Sequence, residues 1–158
     1  LSPFKAWILL KGIETLELRV NRQTKSAKDI VKYLKQSSKI GRIYYPTDSG
    51  FLQKKITKKQ MIDGGSIISF ELKTLKEKEK KVTFSFLNKL KLTEISNNLG
   101  DSKTLITHPY TTTHHKLTSD EKISLRITKN LVRLSVGLEH SIDIIEDIDN
   151  ALTKAKKK

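Results

Sequence analysis

The segment LVRLSVGLE, residues 131–139, constrains the fold of this chain more than any other stretch. Side chains alternate between the two faces of an extended strand, so Val132, Leu134 and Val136 share one face while Arg133 and Ser135 share the other. The pattern predicts a strand with one buried face and one polar face. An arginine on the polar face can bind a carboxylate through its planar fork of donors, whereas the alternative is an arginine that simply points into water.

The N-terminal region predicts a long helix. Ser2 suits the N-cap, and Pro3 suits the first helical position because its missing amide hydrogen is not needed there. Apolar residues recur at three- and four-residue steps and share one stripe: Ala6, Leu9, Ile13, Leu16 and Val20. A second helical stretch over residues 27–36 either continues this amphipathic helix or follows it.

Shorter elements follow. Strand patterns occur at three further places: residues 42–45, 64–72 and 92–96. Helical patterns cover residues 76–90 and 139–154, Thr118 and Glu121 have the spacing of a capping box, and residues 46–50 read as a loop. The last helix places one apolar stripe toward the core: Ile144, Ile148, Ala151 and Ala155. The combination predicts an α/β fold in which a few mostly antiparallel strands carry helices on one side.

Composition excludes several functional classes. The formal net charge of +14 would suit a nucleic-acid binder, but the cations are mostly lysines interleaved with acids, so they predict a solvated surface and no nucleic-acid partner. The strongest apolar run, residues 6–10, is far shorter than the roughly 18 residues that span a bilayer, so no membrane segment is expected. The chain has no Cys, which excludes disulfides and thiol nucleophiles and fits the cytoplasm.

Histidines form the most obvious candidate for a metal or catalytic site. His108, His114 and His115 lie in one polar loop, but no carboxylate or thiol stands at the spacing of a closed metal site. Nothing places a serine on a strained elbow or supplies a histidine with an orienting acid. We therefore predict neither a metal site nor a catalytic triad.

Four segments in one order resemble a known family. Residues 2–16, 64–72, 98–118 and 131–139 are similar to the C-terminal region of the Cys/Met metabolism enzymes, which depend on pyridoxal 5'-phosphate (PLP) and include cystathionine synthases, lyases and homoserine-ester sulfhydrylases. The resemblance implies the C-terminal small domain of a fold-type I PLP-dependent transferase. It divides the chain into a linking helix region, a substrate-binding α/β domain and a basic tail, at residues 1–37, 38–155 and 156–158.

The resemblance also implies roles for single residues. Arg133 would hold the α-carboxylate of an amino-acid substrate, and Asn98 would assist from a neighbouring strand. The loop at residues 108–114 would shape the pocket without reacting, although Tyr110 is larger than the residue expected there. The chain looks like a piece of a longer protein. The Schiff-base lysine and the PLP contacts are expected in a large domain that it does not include, so we predict no catalytic or cofactor-binding residue here and an inactive isolated fragment.

The most similar subgroup sets the expected reaction. Asn98 stands where lyase-like members commonly have Ser, and the opening segment is most similar to O-succinylhomoserine sulfhydrylases, which replace the γ-ester with sulfide to give homocysteine. The alternatives are cystathionine synthase or lyase activity in the complete enzyme, or a non-catalytic remnant or interaction module. The expected partners are a PLP-bearing N-terminal half and further copies in a homotetramer. The sequence leaves open which homoserine ester is used.

Overall fold

A computed structural model describes residues 1–155 of the chain, so the predicted basic tail at residues 156–158 lies outside the described residues. The helices are α1 Pro3–Glu14, α2 Leu16–Gln36, α3 Lys54–Gln60, α4 Glu79–Leu87, α5 Ser119–Ser124 and α6 Ser141–Ala155. The strands are β1 Ile40–Tyr44, β2 Ile67–Leu72, β3 Glu94–Ile95, β4 Leu105–Thr107 and β5 Leu131–Ser135. A single 3-10 turn, Lys76–Lys78, precedes α4.

The five strands form one sheet in the order β1-β2-β5-β4-β3. Neighbouring strands are antiparallel except β3 and β4, which are parallel. The prediction of an α/β fold with mostly antiparallel strands is confirmed. Two elements were not predicted, because α3 is a polar segment without an apolar stripe and β4 has only three residues.

The core lies between one face of the sheet and helices α2, α4 and α6. Phe70 of β2, Leu134 of β5 and Phe86 of α4 are fully buried in one hydrophobic cluster. The predicted apolar face of the Arg133 strand is confirmed, since Val132, Leu134 and Val136 are all buried, but the opposite face is covered as well, because Leu131 and Ser135 are also buried. The predicted stripe of α6 is also confirmed: Ile144, Ile148, Ala151 and Ala155 are buried. The helices therefore cover one side of the sheet, as expected.

The N-terminal helix differs from its prediction in two respects. It breaks at Thr15 into α1 and α2, and α1 buries none of its residues within the described chain. Large apolar side chains of α1 are exposed, including Phe4 at 67%, Trp7 at 55% and Ile13 at 64%. An amphipathic stripe is buried only where another surface meets it, and within residues 1–155 none meets α1. The division at residue 37 stays a prediction, although Ala27 to Leu34 of α2 belong to the core.

Side chain to backbone bonds hold the loops between these elements. The Asp147 carboxylate on α6 accepts hydrogen bonds from the amides of Lys91, Leu92 and Thr93 at 2.7, 3.1 and 2.9 Å. This attaches the segment before β3 to the last helix. The predicted capping box of Thr118 and Glu121 is present at the start of α5. Among the described residues, no helix is both long enough and apolar enough to cross a bilayer.

Candidate functional site

The candidate site lies on the sheet face opposite the three core helices. Register pairs Tyr44 of β1 with Ser69 of β2, Ser69 with Arg133 of β5, and Arg133 with Thr107 of β4. Because side chains alternate along each strand, these four residues form one row across the sheet, on the face away from Phe70 and Leu134. Arg133 therefore stands on a central strand, with a strand on either side of it.

The Arg133 guanidinium has hydrogen-bond donors that no group in the described residues accepts. Its Nη2 donates to the carbonyl oxygen of Asn97 at 3.0 Å, while its Nε is buried and has no hydrogen-bond partner among the described residues. The side chain is partly buried, and this burial lowers the pKa of Arg133 from its ordinary value. An arginine remains cationic despite such a shift. A buried N–H without a partner costs free energy unless a ligand accepts it, and a carboxylate accepts from an arginine in a bidentate way.

The turn before Leu99 brings Asn97, rather than Asn98, into contact with Arg133. The Thr107 hydroxyl donates to the Asn97 side-chain oxygen at 2.6 Å, so Asn97 joins β4 to the arginine. Asn98 is exposed, and its amide donates to the Ser96 hydroxyl at 3.3 Å. Asn98 thus lies in the turn beside Arg133, but no hydrogen bond joins their side chains in the described chain. The role of Asn97 had no signal in the sequence beyond its place next to Asn98.

The same turn is attached to two other elements. Gly100 has a φ of +74°, a left-handed conformation that favours glycine, and its amide donates to the Ser135 hydroxyl at 3.0 Å. Gln23 on α2 donates through its side chain to the carbonyl oxygen of Asp101 at 2.7 Å. The turn is therefore fixed by the strand that carries Arg133 and by the long helix.

Glu139 secures the loop that follows the turn. Its carboxylate accepts from the Thr104 amide at 2.7 Å and from the Thr104 hydroxyl at 2.8 Å, and that hydroxyl accepts from the Gly137 amide at 2.9 Å. The Leu138 amide donates to the Ser102 carbonyl oxygen at 2.8 Å. The glycine and the glutamate of the LVRLSVGLE segment thus fix the loop carrying the turn, a function that alternation alone did not reveal.

The loop at residues 108–115 contains no cluster of exposed imidazoles around one point. His108 is 2% exposed, and its Nδ1 and Nε2 lie 2.8 Å from the Thr111 hydroxyl and 3.0 Å from the Lys129 carbonyl oxygen. A carbonyl only accepts, so Nε2 carries the proton and the hydroxyl donates to Nδ1. Burial lowers the pKa of His108. His108 therefore orders the loop. Within residues 1–155 no group of three or more His, Asp or Glu is arranged to hold a metal ion.

Comparison with known proteins places these features in a family. The chain is 40% identical over 97% of its length to O-succinylhomoserine sulfhydrylase of Mycobacterium tuberculosis, and 44% identical over 98% to L-methionine gamma-lyase of Fusobacterium nucleatum. It spans only 38% of the length of each of these relatives.

A solved structure agrees with the sequence comparison. The O-acetylhomoserine (thiol)-lyase of Campylobacter jejuni, whose structure contains a pyridoxyl-lysine monophosphate, superposes with a TM-score of 0.89 at 35% identity. The superposition covers 97% of this chain and 36% of that one. The family model described as Cys/Met metabolism PLP-dependent enzyme matches residues 1–153, and we conclude that the chain belongs to this family of PLP-dependent enzymes of sulfur amino-acid metabolism.

Proposed function

We propose that this chain carries the substrate-carboxylate site of a homoserine-ester sulfhydrylase. The observation that supports the proposal most directly is the buried Nε of Arg133, which has no partner in the described chain although the neighbouring Nη2 is bound to Asn97. The free edge of the guanidinium suits the α-carboxylate of an amino acid. Asn98, exposed in the adjacent turn, is available to the same ligand.

In this proposal the chain positions the substrate and another part of the enzyme holds the cofactor. When bound, PLP supplies the electron sink through which sulfide replaces the γ-ester to give homocysteine. By holding the α-carboxylate, the fixed Arg133 guanidinium would set the orientation in which the substrate meets the cofactor. The residues around Arg133 fit a carboxylate rather than a Schiff base. Lys122, the only lysine buried among the described residues, lies over the Tyr110 ring instead.

The proposed partner is a PLP-bearing N-terminal portion. The chain spans 38% of the M. tuberculosis relative, and α1 exposes Phe4, Trp7 and Ile13, which would be covered if α1 packed against the missing portion. For the complete assembly we propose a homotetramer in the cytoplasm.

The test is reconstitution with the cofactor-bearing portion of a relative. This chain is co-expressed with the part of the M. tuberculosis enzyme that it does not match, and homocysteine formation from homoserine ester and sulfide is measured. Truncating one partner of a buried hydrogen-bonded charge pair costs about 2–5 kcal/mol. Arg133→Ala should therefore raise KM for the ester roughly 30- to 5,000-fold, while the absorbance of bound PLP is unchanged.

Two matched variants make the result specific. Arg133→Lys keeps the charge but loses the planar fork, so it should restore only part of the affinity. Arg22→Ala removes an exposed arginine of α2 and should leave KM unchanged. An unchanged KM in Arg133→Ala would refute the assigned role. A reconstituted complex that binds PLP but forms no homocysteine would favour the non-catalytic remnant or interaction module.

A lyase is the second candidate, because the identity of 44% to the F. nucleatum L-methionine gamma-lyase exceeds the 40% identity to the M. tuberculosis sulfhydrylase. A lyase releases the γ-substituent without sulfide. Thiol release from L-methionine by the reconstituted complex in the absence of sulfide would favour it, as would a cystathionine cleavage rate above that of the sulfhydrylase reaction. Homocysteine formation that requires sulfide favours the sulfhydrylase.

A further inference from the structure

A cleft opens between β1, the loop that carries Tyr110 and the segment that joins α5 to β5. Its volume is about 630 Å³, within the roughly 300–1,000 Å³ of sites that bind small molecules. Arg133 does not line this cleft, because its guanidinium reaches Asn97 instead. What the cleft binds is therefore a separate question from the proposed carboxylate site.

The lining of the cleft is cationic. Two carboxylates belong to it, Glu71 and Glu79. Five basic side chains line it: Arg42, Lys76, Lys122, Arg126 and Lys129. Within residues 1–155 none of these five cations forms an ion pair with a carboxylate. The cleft thus concentrates positive charge that attracts an anion.

Two of the lysines share one aromatic ring. Lys122 is 8% exposed, and its ammonium lies 4.5 Å from the centre of the Tyr110 ring and 3.4 Å from the His115 carbonyl oxygen. The ammonium of Lys129 lies 6.0 Å from the centre of the same ring. A largely buried ammonium is ordinarily paired with a carboxylate. The described chain supplies none here, so an anion bound beside Tyr110 would neutralise both lysines.

The segment after α5 adds two further unusual features to the lining. The amides of Ile127 and Arg126 donate to the carbonyl oxygens of Lys122 and Ile123 at 2.8 and 3.0 Å, which closes α5 in a Schellman motif. This motif usually places glycine where Arg126 stands, and Arg126 has a φ of +57°. A left-handed arginine is strained, and such strain concentrates at functional sites. The buried hydroxyl of Thr128, which also lines the cleft, has no hydrogen-bond partner among the described residues.

We infer that the cleft binds the phosphate group of a small phosphate ester. A phosphate group carries nearly two negative charges and three strong acceptor oxygens, so it can accept from several cations at once. Lys122, Lys129 and Arg126 supply such cations from two sides of one cleft. The cleft is larger than a bare phosphate ion, and Tyr44 and Ile123 in its lining would contact the organic part of the ester.

The full chain is titrated with inorganic phosphate at about pH 8, where the dianion predominates. Sodium chloride keeps the ionic strength constant, and backbone amide resonances report binding. Phosphate should shift the amides of Tyr110 and of residues 122–129 in a saturable way. Lys122→Met should weaken binding about 10- to 150-fold, because a hydrogen bond to a charged group is lost. Lys58→Gln removes an exposed lysine of α3 that also lacks an ion pair, and it should leave the affinity unchanged.

Thermal unfolding gives a second readout that a purely structural lysine would not produce. Without phosphate, Lys122→Met should unfold at the same temperature as the unmodified chain or higher, because it removes a buried ammonium that no carboxylate neutralises. Phosphate should raise Tm of the unmodified chain but not of Lys122→Met. A lower Tm in Lys122→Met, with the stabilisation by phosphate intact, would overturn the inference.

Further variants and a second probe locate the anion. Lys129→Gln changes an exposed side chain, so it should fold and still weaken phosphate binding. Arg133→Ala should leave phosphate binding unchanged, and its loss in this variant would place the anion at Arg133 and overturn the inference. Shifts that do not saturate, or that are as large in α3 as in the cleft, would also overturn it. A single-stranded oligonucleotide that bound more tightly than phosphate and displaced it would overturn the small-molecule assignment in favour of a nucleic acid.

Discussion

Replacing Gly137 with alanine tests whether the LVRLSVGLE segment holds the site by close backbone approach. A β-carbon at Gly137 would lie 2.5 Å from the Ser102 carbonyl oxygen and would also meet the backbone carbon of Lys103 and the Glu139 carboxylate. Two of these three obstacles are backbone atoms, which cannot move aside as a flexible side chain can. The loop of residues 101–104 must therefore shift, and with it the turn that contacts Arg133.

The size of the effect follows from the overpacking and from the hydrogen bonds that the shift weakens. Overpacking costs about 1–3 kcal/mol. Two hydrogen bonds are weakened, Gly137 amide to Thr104 hydroxyl at 2.9 Å and Leu138 amide to Ser102 carbonyl at 2.8 Å, each contributing about 1 kcal/mol. We expect Gly137→Ala to lower the free energy of unfolding by about 3 kcal/mol. At 2–4 °C per kcal/mol, Tm should fall by roughly 6–12 °C.

The assay is thermal and urea unfolding followed by circular dichroism, with Gly12→Ala as the matched control. A β-carbon at Gly12 has nothing within 4 Å, and Gly12 lies inside α1. Alanine is the better helix former, so this variant should gain about 0.5–1 kcal/mol. The same chemical change should thus have opposite signs at the two positions. If Gly137→Ala unfolds at or above the temperature of the unmodified chain, the reasoning is refuted.

Three further predictions concern stability. Asp147→Ala should cost about 2–3 kcal/mol because three backbone amides lose a charged acceptor, and Glu146→Ala on the exposed side of α6 should change little, as urea unfolding will show. Arg126→Gly should raise Tm by roughly 2–4 °C because it relieves a left-handed conformation, whereas Arg126→Ala, which keeps the β-carbon, should not. Burial lowers the pKa of His108 below its ordinary 6.5. As the pH falls, the unfolded chain therefore gains the proton at a higher pH than the folded chain does. The contribution of His108 to the free energy of unfolding is complete above about pH 6.5 and declines as the pH falls below it. His108→Gln should reduce this pH dependence, which unfolding measured at several pH values will show.

Much of the architecture was predictable because it rests on local periodicity. Alternation over residues 131–136 predicted the apolar face of β5, the three- and four-residue steps predicted the buried stripe of α6, and the Thr118–Glu121 spacing predicted the capping box. These patterns depend on the geometry of one strand or one helix turn. The break at Thr15 and the exposed face of α1 were not predictable in this way, because burial depends on what the helix meets.

The sequence alone determined that Arg133 stands on the strand face opposite Val132, Leu134 and Val136, and the family resemblance implied that the turn at Asn98 lies near it. Only the tertiary structure decided that Asn97 makes the contact and that Arg133 lies on a central strand. The physical reason is that strand order and register bring together residues that are distant in the chain. A short stretch of sequence does not contain the packing energies that select the strand order, so the site can be identified only in the assembled sheet.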